Sequence, residues 1–181
     1  TAIAKNAKKS VKRFGGVLEL YTIIEAELKS SKSKGLFILS EVSLESAFEG
    51  IRTDYLKTAH AGYWAEIING WTEEEHPQEE VYTLFRSMLE KLENGLFSAE
   101  ATGIFFQVTL LKLSGLSPDF SSCLYCNNKI DEISDLRINF DVRDGRIICH
   151  SCSSMESDQK RPTRLKISRG TINELIWIQK N

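Results

Sequence analysis

The chain has 181 residues, 41% of them hydrophobic and 27% charged, the balance of a soluble globular protein able to bury a core without help from metal or disulfides. No apolar run approaches the roughly 20 residues of a membrane helix and no signal-like segment opens the chain, so a helical membrane protein is excluded and the cytoplasm is expected. The net charge of −2 conceals an asymmetry: residues 1–34 hold eight basic side chains against three glutamates (+5), and residues 41–100 hold four against thirteen acids (−9). A basic front suits a polyanion, although a solvated tail has the same composition.

In chain order, residues 1–42 read as a basic segment and a β-rich part. Lys5, Lys8, Lys9, Lys12 and Arg13 are interleaved with small residues and lead into Phe14-Gly15-Gly16. The cations can neutralise phosphates, with Phe14 as a stacking face and the glycines allowing close backbone approach. Val17 to Ile24 and Leu36 to Leu39 predict two strands, with a polar loop over 29–35. No strand is predicted before the basic segment.

Residues 43–118 read as a helical bundle. Leu44, Phe48, Ile51, Tyr55, Ala59, Tyr63 and Ile67 recur at steps of three or four, as one long helix or two short ones. After an acidic linker, Pro77 suits a first helical turn, and Val81, Leu84, Phe85, Met88, Leu89 and Leu92 form a second stripe closed by Gly95. A third helix is predicted over 99–114 with Ile104, Phe105, Val108, Leu111 and Leu113 inward, ended by Gly115 and Pro118.

Residues 119–162 contain all four cysteines, Cys123, Cys126, Cys149 and Cys152, as C-x2-C, 22 residues, C-x2-C. A C-x2-C turn presents two thiolates from one tight loop, and two such turns joined by a hairpin make a tetrahedral Zn2+ site. Ile138 to Val142, the Asp144-Gly145 turn and Ile147-Ile148 supply that hairpin. Two disulfides, a redox C-x-x-C or free core cysteines are the competing readings. Disulfides are rare in a reducing compartment, and a redox motif does not need the second pair. Four thiolates close the coordination sphere, so the zinc is expected to be structural. His150 could replace one thiolate or stand beside the site. Residues 163–181 predict a strand at Leu165 and Ile167 and a helix from about Thr171 with Ser168 as N-cap. They are expected to close the helical domain.

No nucleotide-binding glycine loop, nucleophile elbow or H-E-x-x-H motif occurs, and the paired acids Glu73 to Glu75, Glu79 and Glu80 need no role beyond complementing a helix dipole. An enzyme is therefore not expected. A protein-interaction module, or an RNA-binding zinc-ribbon factor, fits the same features.

The ordered set of segments resembles the RecO family of bacterial recombination mediators. Ala4 to Gly16 followed by Leu18-Glu-Leu-Tyr21 resembles that family's basic "GARRxxSRFGGxLEPF" segment. Phe48 to Leu56 looks like its first interdomain helix, and Leu110 to Pro118 resembles its "LLxxxGxxP" helix end. Cys123-Leu-Tyr-Cys126 and Cys149-His-Ser-Cys152 match its zinc cysteines. The resemblance implies an α+β protein with an OB-fold (incomplete here), a helical bundle and a zinc-binding β-hairpin insertion. It implies binding of single- and double-stranded DNA, strand annealing, and loading of recombinase with RecR onto strands coated by single-stranded DNA-binding protein, without nucleotide hydrolysis. The DNA role then falls on Lys5, Lys8, Lys9, Lys12 and Arg13. Lys mostly replaces the family's Arg there, so the contact is expected to be more diffuse.

Overall fold

In the computed structural model, residues 2–5, 7, 10, 14–30, 36–73, 76–155 and 163–180 are described. They divide into two compact units, residues 1–106 and 107–181.

The first unit opens with a three-stranded sheet in the order β1-β3-β2. Strand β1 is Ala2–Ile3, β2 is Thr22–Ser30 and β3 is Phe37–Ala47. β2 and β3 form an antiparallel hairpin with two register shifts, and β1 runs parallel to β3. The sequence expectation is corrected at three points. A short strand does precede the basic segment. Residues 17–20 are turn rather than strand, with Leu20 exposed, and β3 continues through Leu44 to Ala47 where a helix was expected. Cross-strand hydrogen bonds over eleven residues override the three-to-four spacing that begins at Leu44. Glu27 lies directly opposite Glu41 in this hairpin, next to the Glu25–Ser43 pair.

Helix α1 is Glu49–Thr53 and α2 is Tyr55–Trp71. They break at Asp54, whose extended backbone ends one helix and whose carboxylate accepts the Lys57 N–H at 3.1 Å to start the next. That break resets the helical phase. Phe48 and Ile51 of the expected stripe are buried, but Tyr55 and Tyr63 are exposed, and Ala61 and Trp64 take the inward positions. Helix α3, Glu79–Asn94, follows the expected stripe, except that Pro77 stands just before the N-cap Gln78 rather than in the first turn and Phe85 is half-buried. The helix buries Val81, Leu84, Met88, Leu89 and Leu92, and Gly95 ends it in the left-handed conformation (φ 64°) with its N–H on the Lys91 carbonyl. The Glu93 carboxylate accepts the N–H groups of Gly50 and Ile51 at 2.9 and 2.8 Å, tying α3 to the start of α1. Helix α4 is Ala99–Leu113. Phe106 and Leu110 are its large buried hydrophobic residues and Ile104 is exposed, which corrects the predicted inward face. The helix is apolar nearly all round, so periodicity could not set its phase.

The second unit is built on a four-stranded sheet in the order β4-β6-β5-β7, from Asp119–Cys123, Arg146–Ile148, Arg137–Asp141 and Arg164–Ser168 respectively. The hairpin between β5 and β6 is the one expected, and Gly145 (φ 62°) makes its turn. Asp141, 2% exposed, accepts the N–H of Arg143 at 3.0 Å within this turn and faces Arg164 of β7. Residues 163–181 are expected to close the helical domain; the described residues 163–180 instead extend this sheet. β7 pairs antiparallel with β5, and helix α6, Arg169–Lys180, buries Ile172 in the same core as Ile138, Ile147 and Ile148. Ser168 caps α6 as predicted, accepting the Thr171 N–H at 3.1 Å. The Arg169 guanidinium donates to the carbonyls of Ile130 and Ile133, holding the 3-10 turn Ile130–Glu132 against α6.

Candidate metal centre

The second unit converges on the four cysteines. Cys123 ends β4 and Cys126 closes the turn after it. Cys149 follows β6, and Cys152 lies in the short helix α5, His150–Met155. The antiparallel register of β5 and β6, and the parallel pairing of β4 with β6, bring the two C-x2-C turns to one end of the sheet. Their four Sγ atoms all lie within 4.8 Å of one another, and the Cys126 and Cys149 sulfurs are 3.7 Å apart. A metal–sulfur distance of about 2.3 Å in a tetrahedron requires sulfurs about 3.8 Å apart, so the cage has the size of a tetrathiolate site.

The surroundings suit thiolates. Cys123 and Cys149 are buried, Cys152 is half-buried and Cys126 is exposed. The Cys149 N–H donates to the Cys123 sulfur at 3.4 Å. Burial pushes the Cys123 thiol up, but N–H groups of Cys126, Cys149 and Tyr125 outweigh it and hold the thiol at about 6. The other sulfurs oppose one another. Burial first, then neighbouring thiols, raise Cys149, while hydrogen bonding to Cys149 and then burial push Cys152 up to about 12. Four thiolates this close repel; a proton on the raised thiols relieves that repulsion, and a thiophilic divalent cation relieves it for all four at once. The donor set therefore fits a thiophilic tetrahedral cation such as zinc. His150 is exposed, its backbone N–H donates to Asp135 at 2.9 Å, and it is not among the clustered donors.

The basic segment is a different case. Lys5 is exposed just after β1, while Lys8, Lys9, Lys12 and Arg13 lie outside the described residues. Phe14 is 3% exposed, which corrects its expected role as a stacking face: it is a core residue of the first unit. Gly16 takes φ 73°, a conformation that suits glycine in a turn, and no described atom lies within 4 Å of where its Cβ would stand. On β2 and β3, Glu25, Glu27 and Glu41 line a shallow cleft of about 360 Å³, a surface that repels phosphate. Sequence reasoning did not find the groove beside α6, whose residues are spread over 118–180 and share no motif.

Among the described residues no helix is long and apolar enough to cross a membrane. The family description "Recombination protein O C terminal" matches residues 52–180. A protein of Desulfatibacillum aliphaticivorans named DNA repair protein RecO is 39% identical over 180 residues, covering 99% of this chain and 68% of the relative. Its namesake in Desulfosudis oleivorans is 34% identical, covering 99% of this chain and 69% of the relative. In Pelobacter propionicus the identity is 30% over 162 residues, 90% of this chain and 63% of the relative. Similarity that runs through both units, with the cysteine cage inside it, places the chain in the RecO family.

Proposed function

We propose that this chain acts in DNA repair as a recombination mediator that binds DNA, anneals complementary strands and helps load recombinase onto protein-coated single strands. The observation that carries the reading is similarity to DNA repair proteins named RecO across 99% of the chain. In this reading Lys5, Lys8, Lys9, Lys12 and Arg13 contact phosphates, and the β1-β3-β2 sheet is part of an OB-like barrel. RecR and single-stranded DNA-binding protein are the partners, and the bacterial cytoplasm, at the nucleoid, is the setting. The protein works by binding and not as an enzyme. Four thiols at tetrahedral spacing hold a structural zinc and leave no coordination position for a reactive water.

The test is anisotropy of a labelled single-stranded oligonucleotide titrated with the chain at several salt concentrations. Neutralising four or five phosphates gives a log–log slope of roughly −3. Charge reversal at Lys8, Lys9 and Lys12 should flatten that slope and weaken binding. Salt-independent binding, or none at low salt, would sink the reading. Metal analysis of the reduced protein should return one zinc per chain.

The hairpin favours a second, compatible role. Glu27, which pairs with Lys29 at 3.7 Å, stands directly opposite Glu41 with Glu25 beside them, and a basic protein surface docked there would complement this acidic cluster.

A further inference from the structure

A groove of about 790 Å³ runs between β4, the 3-10 turn and α6, within the second unit and away from the basic segment in sequence. We propose that it is a second site for single-stranded nucleic acid, with Trp177 stacking a base while Lys129 and Lys180 hold neighbouring phosphates. The inference rests on the DNA-binding reading above and adds a site to it.

The α6 side of the groove is laid out by helical spacing. Asn173, Trp177 and Lys180 stand at i, i+4 and i+7, so an amide, an aromatic face and a cation follow one another along one stripe. Trp177 is 57% exposed, although a side chain of its size ordinarily helps fill a core, and Ile172 takes the core position of this helix instead. An exposed indole gives a base a stacking face without regard to sequence.

The opposite wall comes from the turn after the first cysteine pair. Asn127 sits in the left-handed conformation (φ 58°), fixed by its N–H on the Cys123 carbonyl at 3.0 Å, and Lys129 follows it. Both line the groove. Side-chain amides on two walls can hydrogen-bond base edges, and each lysine can neutralise one phosphate.

Two acids also line the groove. Asp119 is engaged: its carboxylate accepts from Ser121 at 2.6 Å and pairs with Arg146 at 3.3 Å. Asp131 opposes phosphate, but it suits the exocyclic amine of a base. A peptide fits less well. The outer edge of β4 is already bridged by Ser122 and Lys129, and the Cys123 N–H is bonded to the Asn128 carbonyl, so little of that edge is left for an added strand.

The test uses the whole chain with Lys8, Lys9 and Lys12 reversed to Glu, so that residual binding reports on the groove. A labelled thymidine oligonucleotide is compared with an abasic strand of equal length. Trp177→Ala should weaken thymidine binding at least about fivefold, the lower end of what one stacked base contributes. Trp177→Phe should retain most of the affinity, and the abasic strand should bind about equally weakly to both the parent and the Ala variant. Reversing Lys129 and Lys180 should flatten the salt slope by at least about 1.4. Circular dichroism checks that the variants fold. If the unreversed chain binds DNA and Trp177→Ala changes nothing, the groove proposal falls alone. If the unreversed chain binds no DNA, the functional reading falls with it. A saturable tryptophan fluorescence change with an acidic peptide that is lost in Trp177→Phe, and none with the oligonucleotide, would assign the groove to a protein and overturn the proposal.

Discussion

In the first unit the groups withdrawn from water are large side chains on helices: Ile51, Trp64, Leu92 and Phe106 are each at most 1% exposed. In the second unit they are mostly isoleucines on strands of three and five residues, packed around two buried cysteines. The first arrangement needs only apolar burial, since its helices satisfy their own backbone and their packed faces exclude water. The second has short strands and a core in which thiols occupy space that aliphatic groups would otherwise fill. Its two C-x2-C turns are drawn together by hydrogen bonds to sulfur, while the sulfurs themselves resist sharing charge. The same chain thus combines a unit stabilised by area with a unit whose core closes around four thiols spaced to hold a cation.

The sharpest way to break that contrast is to deny the four cysteines a metal. Zinc binding contributes on the order of 10–16 kcal/mol in small peptide sites. Chelation, or Cys126→Ser, should therefore strip hydrogen-exchange protection from β5 and β6 by several kcal/mol and leave α3 protected. Equal protection before and after, with metal loss verified, would mean that the isoleucine core suffices alone. The converse experiment is Leu92→Ala. A leucine 1% exposed leaves a cavity costing about 2–5 kcal/mol. The helical unit should melt earlier while metal content stays at the parent value. Loss of metal in that variant would show that the units are not independent.

The smallest effect sharpens the picture at the edge of the cysteine sheet. Hydrogen bonding from Ser121, and then Arg146, holds the Asp119 carboxyl below its ordinary range despite partial burial. A carboxyl whose folded pKa is lowered contributes stability that is present above its unfolded value, near 3.9, and lost as pH falls through the folded one. Asp119→Asn should thus lower the melting temperature slightly at neutral pH, by an amount corresponding to less than about 1 kcal/mol. The difference should close in strong acid, and a gap unchanged by acid would point to packing rather than charge.

Much of this molecule was legible in the order of its residues. The four cysteines lie at ligand spacing and need only a hairpin between them, which the alternation at Ile138 to Val142 and the Asp144-Gly145 turn announce. Helix α3 was equally plain, because its polar and apolar faces are cleanly separated and Gly95 marks its end. Both are local codes, written in spacings shorter than a strand or a helix.

Tertiary structure decided what local codes leave open. Helices α2 and α4 are apolar on several faces, so only packing could choose Trp64 over Tyr63, and Phe106 over Phe105, for the deeper position. Phe14 looked like a ligand-facing ring and became core for the same reason. The extension of β3 to Ala47 follows from its pairing with Thr22, a partner 25 residues away. The α6 groove brings together Asn127, Lys129 and Trp177, whose proximity depends on the Arg169 clamp to the 3-10 turn. Local spacing specifies ligands and caps because their geometry is set within a few bonds. Which apolar face turns inward depends on what the rest of the chain has left to cover.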